Sequence, residues 1–305
     1  MKDTPYFKQA QLMLRVMPHV SAEKCFALKG GTAINFYVRD MPRLSVDIDL
    51  TYLPLEPRDT ALANIGEALH RIVAGIRKAV PGTTVQESQA RGAGNVSKLT
   101  VSTAEATIKI EPNLVLRGTV FPPVEEELSE PAEALFEVSA TASILAVPDL
   151  YGGKLCAALD RQHPRDLFDV KILMENEGIT DEIRTAFVVY LASHDRPMSE
   201  LLDPNKKDFR QIFEQDFAGM TAQEVAYDEL VAIRDRLIES INEAMTENEK
   251  KFLLSIKHGE PDWDLMPVTG IDRLPAIQWK LLNIRKMKKE KHAESLQKLR
   301  TALGI

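Results

Sequence analysis

The ten residues from Arg43 to Tyr52 alternate without a break between polar and apolar side chains. Leu44, Val46, Ile48 and Leu50 fall on one side, and Ser45, Asp47, Asp49 and Thr51 on the other. Period two is the mark of a strand with one buried and one polar face. Such a strand needs partners. Thr83–Gln89, Val96–Ser102 and Glu105–Pro112 read as strands, and another is expected near residues 135–147. In the third of these, Ala106, Ile108 and Ile110 oppose Thr107, Lys109 and Glu111. Leu62, Ile65, Leu69, Ile72, Val73 and Ile76 form a helical stripe across residues 60–80, ended by Gly82. Residues 7–17 predict a helix stopped by Pro18, and Ala33–Val38 a short one.

Beyond Pro148 the periodicity is helical nearly throughout. Pro148 suits a first turn. The helix it opens carries Leu150, Lys154, Leu155, Ala158 and Arg161, and Pro164 interrupts it. Arg165–Glu177 resumes, and residues 180–192, 206–217, 221–257 and 275–303 follow as further helices. The expectation is an α+β protein: a mixed sheet with flanking helices over residues 1–147, then a helical domain over 148–305.

Composition removes several classes. Apolar residues make up 44% of 305, enough for a substantial core. The two cysteines, Cys25 and Cys156, have neither zinc nor disulfide spacing and fit a reducing cytoplasm. The first twenty residues lack a signal peptide's apolar core, and no apolar run is long enough to span a membrane. A net charge of −7 rules out a wholesale basic coat. Charge is nevertheless uneven: Lys280, Arg285, Lys286, Lys288, Lys289, Lys291, Lys298 and Arg300 face only Glu290 and Glu294. That run is either a local phosphate-binding face or a solvated helix end.

Asp47 and Asp49, two apart on a strand, point the same way and can share divalent cations. Magnesium favours a few carboxylates plus substrate phosphates. A lone pair of this kind is common and equally describes a polar strand face. The preceding Lys29-Gly30-Gly31-Thr32, after an apolar run and before a helix, adds weight. Glycines there let backbone N–H groups approach a triphosphate, with Thr32 adding a hydroxyl donor, unless the run is an ordinary capped turn. Arg43 would touch phosphate or pair with a carboxylate. Glu111 is a candidate third carboxylate, or an exposed glutamate beside Lys109.

Lys154 and Arg161, seven apart, share a helix face, and Asp166 and Asp169, three apart, share the next. The lysine would neutralise triphosphate charge. The aspartates would hold Lys154 or Arg161, or serve as a base; the bland reading is a structural ion-pair network. The chain contains no GxxxxGK[ST], GxGxxG or HExxH, and its six histidines show no ligand spacing. His163 reads as a loop residue, and Trp263 and Trp279 as packing anchors.

The runs Leu28-Lys-Gly-Gly-Thr-Ala33 and Arg43-Leu-Ser-Val-Asp-Ile-Asp-Leu50 resemble the AbiEii nucleotidyltransferases, toxins of type IV toxin–antitoxin systems. Lys154 through Arg161 to Asp169, and Gln278–Asn283, are similar to that family too. The resemblance implies a DNA polymerase β-like nucleotidyltransferase core with a helical C-terminal part that completes the active site. It implies a toxin encoded beside an antitoxin, transferring NMP from an NTP to RNA, with tRNA 3′ ends as acceptors in some relatives. Mapped here, Gly31 and Thr32 fall in the first motif and Ser45, Asp47 and Asp49 in the metal motif. Lys154 matches the catalytic lysine, and Asp169 best matches the later catalytic aspartate, with Asp166 beside it. In some members of the family the hydroxyl at the position of Ser45 can be phosphorylated, which blocks activity.

The expected function is thus magnesium-dependent (or manganese-dependent) NMP transfer to an RNA acceptor. Asp47, Asp49 and Glu111 are the metal candidates; Gly30, Gly31, Thr32, Arg43, Ser45 and Arg161 are the nucleotide-binding ones. Two alternatives stay open: transfer to a protein or small-molecule hydroxyl, and a non-catalytic module that binds NTP or antitoxin.

Overall fold

The computed structural model describes residues 4–89 and 94–305. Helix α1 (Pro5–Ser21) opens the described chain. Pro18 does not stop it. A proline near a helix end forfeits one hydrogen bond only, and its carbonyl accepts from Ala22 N–H at 3.2 Å, so one more turn follows. Strand β1 (Phe26–Lys29) runs into α2 (Gly30–Ala33), which widens into a π-helical turn, Ile34–Val38. The expected helix therefore starts three residues early, at the glycines. Then come β2 (Ile48–Tyr52), α3 (Arg58–Ala79), β3 (Thr84–Gln89), β4 (Val96–Ser102), β5 (Thr107–Asn113), β6 (Val124–Glu127), α4 (Glu130–Phe136) and β7 (Thr141–Ile144).

The strands form one mixed seven-stranded sheet in the order β3-β4-β5-β2-β1-β7-β6. Helices α1 and α3 pack on it and on each other, and every residue of the predicted α3 stripe is buried. The alternating segment is shorter as a strand than expected, since ladder pairing starts only at Ile48. Leu44 and Val46 are nonetheless buried, so the pattern reports burial correctly where backbone pairing is absent. Leu44 N–H is taken instead by the Met220 carbonyl at 2.8 Å, beside a bridge between Arg43 and Thr221. Residues up to Ala146 together with Ala218–Glu224 accordingly form one compact unit, and Val147–Phe217 with Val225–Ile305 form another.

The second unit is helical: α5 (Val147–Arg161), α6 (Pro164–Glu175), α7 (Asp181–Ser193), α8 (Met198–Leu202), α9 (Arg210–Ile212), α10 (Tyr227–Ala244), α11 (Glu247–His258), α12 (Pro275–Arg285) and α13 (Lys289–Leu303). Two stretches expected as single helices are broken. Thr246 and Glu249 form a reciprocal capping box that starts α11 afresh, and Lys286–Lys288 separates α12 from α13. At the centre α5 lies unusually close to α7. A Cβ at Gly152 would sit 2.8 Å from the Ala186 carbonyl carbon and the Phe187 nitrogen, so only glycine permits this approach. No helix among the described residues is long and apolar enough to cross a membrane.

Candidate functional site

Strand β1 ends at Lys29, and the chain enters α2 at Gly30 with φ +73°, a left-handed conformation that favours glycine. A Cβ at Gly30 would lie 2.9 Å from Asp49 Oδ2, so only glycine lets the turn pack this closely on that carboxylate. A Cβ at Gly31 would collide with the Arg43 guanidinium and come within 3.0 Å of Ser45 Oγ. The turn is fastened from within. Thr32 donates to the Asp47 carbonyl at 2.6 Å, and its hydroxyl lies 3.0 Å from Ser45 Oγ. Asn35, fully buried, donates to the Gly31 carbonyl at 2.9 Å. Arg43 is buried as well and donates to its neighbour's carbonyl, Leu44 O, at 2.9 Å. The hydroxyl expected to donate to phosphate thus serves the backbone of Asp47, and the candidate phosphate-binding arginine lies beneath the glycine turn.

On the polar side of the alternating segment, Ser45 and Thr51 are buried while Asp47 and Asp49 keep partial exposure. Sheet register extends the charge sideways. Asp49 pairs with Lys29 on β1 and with Glu111 on β5, which brings the two carboxylates onto neighbouring strands about 4.8 Å apart. Like charges opposed in this way repel. Lys98 relieves one of them, with Nζ 2.7 Å from Glu111 Oε1. Among the described residues no three His, Cys, Asp or Glu side chains converge into a ready-made metal cage. Oxygen-only donors beside an open glycine turn suit a hard divalent cation that completes its shell with phosphate and water.

In the second unit the predicted cations and carboxylates do meet. Lys154 Nζ lies 2.8 Å from Asp166 Oδ1 and 3.0 Å from Asp169 Oδ2. Arg161 grips Asp166 with two parallel bonds, Nε to Oδ2 and Nη2 to Oδ1. Lys154, Asp166 and Asp169 are buried, whereas the Arg161 side chain is 61% exposed. Burial alone would raise the Asp166 pKa, but Lys154 and Arg161 outweigh it and hold the carboxyl well below the usual carboxylate range. Asp166 is also the third residue of α6, where the helix dipole favours an anion. An anion this stable is a poor proton acceptor, so of the two roles expected for Asp166, holding the cations fits and general base does not.

The link between α5 and α6 explains how these groups are held. Gln162 adopts φ 52°, and its buried amide donates to Asn205 O and accepts from Lys207 N–H, both at 2.8 Å. His163 caps α6 by accepting from Arg165 N–H at 3.1 Å. Burial, aided by Arg165, pushes its imidazole down to about 4, so it stays neutral. Gln162 and Asn35 were not singled out in the sequence. For Asn35 the signal was an asparagine four residues after a glycine at a helix start.

The basic run divides too. Lys280 turns inward, donating to His194 O at 2.5 Å and Arg196 O at 2.8 Å, and burial lowers its pKa to about 8. The other seven cations are exposed. Trp263 packs against Phe252, but Trp279 is 55% exposed and is no packing anchor.

A family model, "Nucleotidyl transferase AbiEii toxin, Type IV TA system", matches residues 11–283, a span that includes the glycine turn, the carboxylates and Lys154 to Asp169 but ends before Arg285 and the rest of the basic run. Among solved structures, the fold is similar to MenT4, a nucleotidyltransferase toxin from Mycobacterium tuberculosis H37Rv. The TM-score is 0.62 at 15% identity, over 97% of this chain and 93% of that one. No curated protein sequence matches. With nine-tenths of its length inside the family model, the chain belongs to the AbiEii nucleotidyltransferase toxins, enzymes that use NTP and are paired with an antitoxin in type IV toxin–antitoxin systems.

Proposed function

We propose that this nucleotidyltransferase moves a nucleoside monophosphate from an NTP to the 3′ hydroxyl of an RNA, with a tRNA 3′ end as the acceptor, in the cytoplasm where both pools lie. The acceptor oxygen bonds to the α-phosphorus, the bond to the β-phosphate oxygen breaks, pyrophosphate leaves and the hydroxyl proton is released. Asp47 and Asp49 would hold magnesium or manganese, which when bound supplies Lewis-acid stabilisation of phosphate charge. Glu111 is the third candidate ligand and would first have to leave Lys98.

The close packing of the glycine turn on Asp49 carries this reading, since it sets the candidate phosphate-binding turn directly beside a candidate metal-holding carboxylate. Gly31, Thr32, Ser45 and Arg43 keep the turn and the Asp47 backbone in shape. Lys154 supplies positive charge against the triphosphate, Asp169 and Asp166 orient its ammonium, and Arg161 holds Asp166. The partner antitoxin restrains this activity.

The test incubates purified protein with each radiolabelled NTP and total tRNA, beside Asp47→Ala and Lys154→Ala. Label should pass to tRNA with the native chain only. Full transfer by both variants would sink the mechanism, and label on protein or a small molecule would replace the acceptor.

A further inference from the structure

Helix α12 carries an uncovered stripe. Trp279, Leu282, Asn283 and Lys286 follow the i, i+3, i+4, i+7 spacing of one helix face, and all are exposed, Trp279 by 55% and Leu282 by 40%. An indole in water is a poor use of the residue with most to gain from burial. Immediately after the stripe, Arg285, Lys286, Lys288, Lys289 and Lys291 are exposed, with Glu290 the only acid among them. Three of these lysines stand at or next to the amino end of α13, where cations oppose the helix dipole. Local stability therefore does not explain them. The inward turn of Lys280 marks the contrast: where a lysine here serves the fold, it is half-buried on carbonyls.

We infer that the α12–α13 surface is a docking platform for single-stranded RNA, with Trp279 stacking on a base and Lys286, Lys288 and Lys289 holding the adjacent phosphates. Local positive charge on a chain of net charge −7 selects a polyanion, and the flat aromatic surface selects unpaired bases over a duplex. The platform rests on the RNA-acceptor reading above and assigns residues to it. Stacking accepts any base, so Trp279 provides affinity without sequence preference.

The chain has two tryptophans, so Trp263→Phe leaves Trp279 as the sole indole reporter. Adding a single-stranded RNA oligonucleotide should quench its emission. Trp279→Ala should weaken binding of a labelled RNA by about tenfold, judged by anisotropy, as expected for loss of one base stack. Lys286→Glu with Lys288→Glu should reduce the salt dependence of binding, since two phosphate contacts are lost. NTP binding should be unchanged in both, which separates a docking defect from misfolding. Native chain that transfers label to RNA, with variants that bind and transfer equally well, would overturn the platform and leave the RNA reading intact. Native chain that neither binds nor labels RNA would overturn both. Variants that keep RNA but lose the antitoxin or self-association would assign the surface to a protein instead.

Discussion

Asp47 and Asp49 in the sheet unit and Asp166 and Asp169 in the helical unit are the same chemical group in opposite settings. The first pair is partly exposed, beside a glycine turn, with a third carboxylate on the next strand. The second is buried, with its negative charge matched by Lys154 and Arg161 at hydrogen-bond distance. Partly exposed like charges are screened by water and cost little in the folded chain. Buried carboxylates persist only when paired, because an unpaired ion in the interior is costly. The first pair stays open to solvent, and the second is sealed around its cations. Stability and activity should therefore respond differently at the two places.

The largest separation is expected from Lys154→Met. It removes the ammonium shared by two buried carboxylates and should cost about 3 kcal/mol in chemical denaturation, besides abolishing transfer. Retention of full stability would break the comparison. Gly30→Ala forces a left-handed alanine against Asp49 and should cost about 1–2 kcal/mol while blocking NTP binding. Gly152→Ala should cost a similar amount by overpacking α5 on α7, with NTP binding retained. Thr32→Val removes the bond to the Asp47 carbonyl and should cost about 1 kcal/mol, read from thermal unfolding. Asp49→Asn should leave stability within about 0.5 kcal/mol, or raise it slightly, while transfer is lost.

The smallest effect concerns pH. His163 is neutral in the fold down to about 4, whereas an unfolded chain protonates it near 6.5. Stability should therefore fall as pH drops from about 6.5 to 4, with no further loss from this group below that. His163→Asn keeps a cap acceptor and should flatten that window in pH-dependent melts. Asp166 acts lower: its contribution is complete above the ordinary carboxylate pKa and fades as pH falls beneath it, so the native chain and His163→Asn should share that acid loss.

The features readable in advance were those written as periodic burial. The α3 stripe, the alternation in β5 and the burial of Leu44 and Val46 all follow from it. Strand β6 was not readable, because Val124–Glu127 is exposed at all four positions on a sheet edge and carries no alternation. Helix α4 lies in the same acidic stretch and buries only Ala132. The Thr246–Glu249 box was legible and would have divided α10 from α11. At the candidate site, residue types and spacing sufficed to bring Lys154, Asp166 and Asp169 together, since charges three and seven apart on adjoining helices have few other places to go. Spacing could not show that Thr32 would face inward or that Arg43 would be buried, because both depend on packing beneath the glycine turn.

The pairing of Leu44 with Met220 makes the sheet unit discontinuous in sequence. A fragment ending at Ala146 would lack the short segment that receives the Leu44 N–H, three residues before Asp47. The sheet unit is thus not a portable module: a gene cut at the obvious junction, or a fusion that swaps the helical half, discards a piece of the sheet half with it. Exchange of parts between relatives should succeed only where residues 218–224 travel with the sheet.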